Sequence, residues 1–139
     1  MKVGIQIIGE DGENPPPAYA LARRGIVDNV VGYTVYGDYR QPNPAGRIVE
    51  AVAKGEVDAA IVWGPFAGFF APRETPPLAV TELAEPGDPG LPFAFSIAMG
   101  VAKGNTPLRD ELDRFIERRA PEIRAILAHY GVPLAEAPQ

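Results

Sequence analysis

The feature that most constrains this chain is a set of three short, nearly continuous apolar runs separated by stretches of helical pattern. The runs are residues Val3 to Ile8, Val30 to Tyr36 and Asp58 to Trp63. Each is short for a helix and lacks the strict polar alternation of a strand with one face in water. The first reads as a buried strand, the second as a strand rich in Val and Tyr, and the third as a strand covered by helices on both faces. Between the first two lie a polar turn, Gly9 to Asn14, then Pro15 to Pro17, then a helical stretch through Ala18, Leu21 and Ala22. Proline is tolerated in a first helical turn, where its missing N–H costs nothing, and Gly25 fits a left-handed stop. Between the second and third, a loop with Gly37, Pro42 and Asn43 leads into a predicted helix from Pro44 to Lys54. Ile48, Val49 and Val52 form its apolar stripe, Asn43 is its expected cap and Gly55 its expected end. Strand, helix, strand, helix, strand in this order implies parallel strands joined by right-handed crossovers.

After Trp63 the pattern changes. Gly64-Pro65 breaks the third run, and Phe66 to Ala71 is expected to start a short helix. Leu78 to Leu83 reads as a strand, residues 84–92 as a Pro/Gly-rich linker, and Phe93 to Ala102 as a further apolar strand. From Pro107 the apolar spacing becomes helical, through Leu108, Leu112, Phe115 and Ile116, then Ile123, Ile126, Leu127 and Tyr130. Pro121 is expected to split or bend this region into two helices. Gly131 and Pro133 stop the second, and the tail beyond is expected to be loose.

The length of 139 residues suits one domain. Lys and Arg number 13 against 18 Asp and Glu, a net charge of −5, which argues against nucleic-acid binding because a clustered basic surface supplies most of that affinity. The basic residues Arg114, Arg118 and Arg119 interleave with Asp113 and Glu117, as on a solvated helix face. With no cysteine, disulfides, thiol nucleophiles and Cys-ligated metals drop out. No stretch approaches the roughly 18 apolar residues of a membrane helix. The N-terminus runs straight into the first strand without the charged and apolar regions of a signal peptide, which as written carries no export address and reads as cytoplasmic.

Candidate chemistry is sparse. Ser96, the only serine, lies within a predicted strand without a nucleophile-elbow pattern, and His129, the only histidine, sits late in a helix where it suits the dipole. One histidine makes no convincing metal site, so neither an enzyme, a metal nor a cofactor is expected. The loop holding Gly9, Glu10, Asp11 and Asn14 follows a strand's carboxyl end and precedes a helix, where α/β sheets bind ligands. Its carboxylates either occupy the helix dipole as a solvated turn or face a cationic ligand or metal; it has no phosphate-loop pattern. Tyr36, Asp38 and Tyr39 follow the second strand, as a half-exposed turn or as part of the same rim. Trp63, followed by Gly64, ends the third strand, where it either caps the core or walls a crevice that would stack on cations, rings or apolar groups. Asp58 reads as a polar residue at a turn-to-strand boundary.

Taken as a set, several stretches resemble a known family. They are Gln6-Ile7-Ile8-Gly9-Glu10-Asp11-Gly12, the run from Ala20 to Val30, Tyr36-Gly37-Asp38-Tyr39, the run from Arg47 to Asp58, Val62-Trp63-Gly64-Pro65, and the closing run from Ala125 to Pro133. Over nearly the whole chain these are similar to the quinoprotein-dehydrogenase-associated solute-binding proteins of methanol oxidation (the MoxJ/XoxJ type). Broader relatives are the amino-acid-type periplasmic binding proteins of ABC transporters. The resemblance implies an α/β, three-layer fold with a central, mainly parallel sheet, one lobe of a type 2 periplasmic-binding-protein fold. In it, residues 1–83 correspond to the second lobe, 93–133 to a return strand and C-terminal helices that belong to the first, and 134–139 to a tail.

It further implies a periplasmic, non-catalytic role and a small-molecule ligand held between lobes by Gly9, Glu10, Asp11, Asn14, Tyr36, Asp38, Trp63 and Gly64. The alternative it leaves is an accessory that contacts a PQQ-dependent dehydrogenase and carries no transport ligand. Amino-acid-binding relatives place a Ser or Thr in the loop that here reads Glu10-Asp11-Gly12-Glu13-Asn14, and an Asp where this chain has Trp63. Both departures count against a free amino acid as ligand. If most of the first lobe lies outside this chain, residues 93–102 and the helices after Pro107 carry apolar faces without their usual cover. Self-association into a homo-oligomer, or repacking onto the chain's own sheet, is then expected.

Overall fold

The structure, a computed structural model, describes residues 1–7, 14–34, 40, 42–83, 90 and 92–134. Three strands form its sheet: β1 (Val3–Ile7), β2 (Val30–Thr34) and β3 (Ala59–Ile61). They are parallel and stand in the order β2-β1-β3, with Val3 level with Val30 on one side and Ala59 on the other. β1 is central, and Val3, Gly4 and Ile5 are buried. The α/β class and the parallel pairing thus follow the apolar runs.

Helices cover both faces. Gly4 lets Ile48 approach: a Cβ there would lie 3.3 Å from the Ile48 side chain and 3.4 Å from Ala60. Ile48 and Val49 of α2 (Arg47–Ala53) form the main cluster with Ala71, against which Tyr33, Val62, Phe70 and Leu78 pack. Alternation along the strands sends Val3, Ile5 and Ile61 to the other face. There Ile61 shares an apolar hollow of about 210 Å³ with Ala20 and Leu21 of α1 (Pro16–Arg23). Both helices stop as their glycines predict. Gly25 and Gly55 each take φ +71°, and paired bonds close each end: Gly25 N to Ala22 O with Ile26 N to Leu21 O, and Gly55 N to Val52 O with Glu56 N to Ala51 O. This is the Schellman arrangement, which satisfies the last free carbonyls of a helix.

Several expectations change. Asn43 does not cap α2 with its side chain. It takes φ +52° and offers its carbonyl to Gly46 N, because the element opens with a 3₁₀ turn at Pro44–Gly46. β3 is not covered on both faces: Ala59 is exposed and Ile61 half-buried, since β3 is an edge of the sheet. Leu78–Leu83 and Phe93–Ala102 form no strand, for no neighbouring strand offers them a ladder. Pro121 does not split the C-terminal region. A single helix, α4, runs from Thr106 to His129. Pro121 is exposed, so the carbonyl it leaves unbonded can turn to water, and the flanking Arg, Glu, Leu and Ala favour helix.

α4 is held at its far end. Its last turn closes at Gly131 (φ +66°) through Gly131 N to Ala128 O and Val132 N to Leu127 O. That turn abuts α3 (Gly64–Phe70), where the Gly68 backbone meets the Gly131 carbonyl so closely that any Cβ on Gly68 would overlap it. Phe69 stacks on Tyr130 at 6.0 Å, and the Arg73 guanidinium lies 3.8 Å from the Phe69 ring centre. Elsewhere the helix buries no residue. No helix among the described residues is long and apolar enough to cross a membrane.

Candidate functional site

In a sheet ordered β2-β1-β3, the chain leaves β1 toward one side and later returns to the other, so the connections diverge between the carboxyl ends of β1 and β3. Such a topological switch point opens a crevice, the usual ligand position of parallel α/β sheets. Here Gln6 of β1 and Trp63, two residues beyond β3, flank it. The Trp63 backbone N–H donates to Gln6 Oε1 at 2.7 Å. Gln6 is a polar residue inside the run Val-Gly-Ile-Gln-Ile. That interruption was the signal for its role, and apolar-run reading passes over it.

Trp63 is not a core residue: 47% of it is exposed. Its backbone stays extended (φ −57°, ψ 128°) immediately before α3. The Phe66 ring lies at right angles to it, with centroids 5.3 Å apart. A half-exposed indole in contact with a second ring is the kind of group from which an aromatic wall is built. Gly64 has a packing reason for being glycine, because a Cβ there would press on the Pro133 ring. Asn14 is exposed and lies just before Pro15, the residue that caps α1. Gly9, Glu10, Asp11, Tyr36 and Asp38 lie outside the described residues.

Other singled-out groups fall into structural places. A carboxylate oxygen of Asp58 accepts from the Lys2 backbone N–H at 2.6 Å, tying the amino ends of β3 and β1. His129 is exposed in the last turn of α4, its ring edge-on to Tyr130 at 5.3 Å. Ser96 is exposed. The hydrogen bond and charge of Glu50 raise the pKa of Lys54, and those of Asp110 raise that of Arg109. Lys54 lies at the amino-terminal side of β3 and Arg109 near the start of α4. Among the described residues no group of His, Asp or Glu could hold a metal ion. The arrangement offers recognition by stacking and hydrogen bonding.

No family model matches the chain, and no solved structure matches it. Two curated proteins do. It is 33% identical to Protein MoxJ of Methylorubrum extorquens over 100 residues, 69% of this chain and 33% of that protein. It is 30% identical to Protein MoxJ of Paracoccus denitrificans over 94 residues, 65% of this chain and 34% of that one. The chain therefore spans about a third of the length of the curated relatives it matches. On this likeness the chain is a relative of the MoxJ proteins.

Proposed function

We propose that this chain is a non-catalytic binding lobe of the periplasmic solute-binding type, serving a methanol-oxidation system with a PQQ-dependent dehydrogenase. It holds a small molecule other than a free amino acid against Trp63. The observation that carries this reading is the half-exposed indole at the β1/β3 switch point, tied to the central strand through Gln6. The relationship to MoxJ supplies the system. Glu10, Asp11 and Asn14 are the polar groups of the loop that follows β1 in sequence, and they complete the proposed site.

The chain's single tryptophan makes the test clean. Indole fluorescence is titrated with a panel of planar aromatic and quaternary-ammonium solutes, with free amino acids as comparison. A saturable change for one class, absent for amino acids and lost in Gln6→Leu, supports the reading. A flat response to the whole panel, with a stable complex formed with the purified dehydrogenase, selects the accessory alternative instead.

A further inference from the structure

We infer that the molecule held at Trp63 is an uncharged planar ring carrying a carbonyl-type acceptor, and that Gln6 is the residue that selects it. This deepens the Trp63 reading and rests on it. The observation that carries it is the direction of one amide. The Trp63 backbone N–H donates to Gln6 Oε1 at 2.7 Å, and only the oxygen of a side-chain amide accepts; its nitrogen does not. The bond therefore settles which way round the amide stands. Its other end is the Nε2 group with two hydrogens, and among the described residues neither meets an acceptor.

Gln6 is half-buried, between Ile5 and Ile7 of the central strand and level with Tyr33 of β2. Its free donors are thus shielded from part of the water that would otherwise satisfy them. A partly desolvated donor is costly to leave unpaired, and an acceptor brought in by a bound molecule relieves that cost. The amide and the indole are joined through the Trp63 backbone, so one small molecule can stack on the ring and accept from Nε2. Trp63 supplies the preference for a planar group; Gln6 supplies the preference for what that group carries.

Charge narrows the class further. An indole alone accepts quaternary ammonium groups on its face, but such a cation beside Gln6 meets the positive end of the amide dipole and offers nothing for its hydrogens. A carboxylate accepts from Nε2, yet it must then stand beside the loop that follows β1 in sequence and carries Glu10 and Asp11, where like charges oppose it. A ring bearing a neutral carbonyl oxygen satisfies the amide without either conflict.

The test is a heteronuclear NMR titration of the full chain with acetophenone, phenyltrimethylammonium and benzoate. The single tryptophan gives one indole N–H resonance, and the Gln6 Nε2 pair reports its own hydrogen bond. Acetophenone is expected to shift both saturably and to bind about fivefold tighter than either charged probe, the worth of one neutral hydrogen bond. Gln6→Glu keeps an oxygen for the Trp63 N–H and replaces the donors by a carboxylate oxygen. It is expected to weaken acetophenone about tenfold or more and to make phenyltrimethylammonium the preferred probe. The unmutated chain already decides the matter: a preference there for phenyltrimethylammonium or benzoate overturns this inference and leaves the Trp63 reading standing. Acetophenone binding that shifts the indole but is indifferent to Gln6→Glu does the same. An indole resonance that no probe moves overturns both.

Discussion

Replacing Gly68 with alanine sets two well-measured effects against each other. In an unconstrained helix the change is favourable by about 1 kcal/mol, because alanine loses less backbone freedom on folding. Gly68 lies inside α3, so propensity alone predicts a more stable protein. The new Cβ, however, would overlap the Gly131 carbonyl. That carbonyl cannot swing away freely: Gly131 is in the left-handed conformation at φ +66°, and its N–H and that of Val132 are bonded to Ala128 and Leu127. Forced overpacking of this kind costs about 1–3 kcal/mol, and here the clash is with backbone, which places it toward the upper end.

The net expectation is a loss of about 1–2 kcal/mol. For a domain of this size that lowers the melting temperature by roughly 3–8 °C. Thermal unfolding followed by circular dichroism gives the number. Ala67→Gly, one residue earlier in the same helix, is a useful companion, for it loses about 1 kcal/mol of propensity. Destabilisation by both opposite exchanges at adjacent positions is the signature of the α3–α4 contact. A Gly68→Ala protein more stable than the parent would refute the reasoning, because α4 would then not be seated on α3 as described.

Three further outcomes follow from the same geometry. Ile48→Ala, at a side chain only 2% exposed between α2 and Gly4, is expected to cost about 2–5 kcal/mol, enough to abolish the cooperative unfolding transition seen by circular dichroism. Asp58→Ala removes the acceptor of the Lys2 N–H and is expected to cost about 1 kcal/mol at this exposed site, read from the urea midpoint. Asn105→Ala deletes the side-chain oxygen that accepts from Leu108 N at 3.4 Å; a loss of about 0.5–1 kcal/mol should appear as lower helicity at 222 nm, because little else supports that end of α4.

What was legible in the sequence was what local chemistry decides. Gly25, Gly55 and Gly131 end helices where the pattern said they would, since few residues but glycine enter the left-handed turn without strain. The apolar runs gave the parallel sheet, and Trp63 stands half-exposed just beyond the third strand. What failed depended on neighbours. Leu78–Leu83 and Phe93–Ala102 have the composition of strands, but a strand exists only through its partner, and composition says nothing of whether one is present. β3 was read as covered on both faces because its residues are apolar; only the sheet order makes it an edge. Pro121 failed in the opposite sense. A breaker that would be costly in a packed helix is tolerated where the carbonyl it frees meets water, and exposure of α4 is a tertiary fact. Gln6 was missed because one polar residue in an apolar strand looks like noise until its partner, the Trp63 N–H, is seen.

These failures share a cause. The compact part of the molecule, sheet with α1, α2 and α3, buries eight hydrophobic residues among those described, all between Val3 and Ala71. Residues 93–134 contribute none to that list, yet they carry strand-like alternation and a 24-residue amphipathic helix. The α3–α4 contact at Gly68 and Gly131 shows that the helix end is fixed in place, so the apolar face it carries is presented at a set position and not simply unfolded. The chain thus separates into a part, Val3 to Ala71, whose apolar side chains cover one another and a part, residues 93–134, whose apolar side chains stay largely exposed.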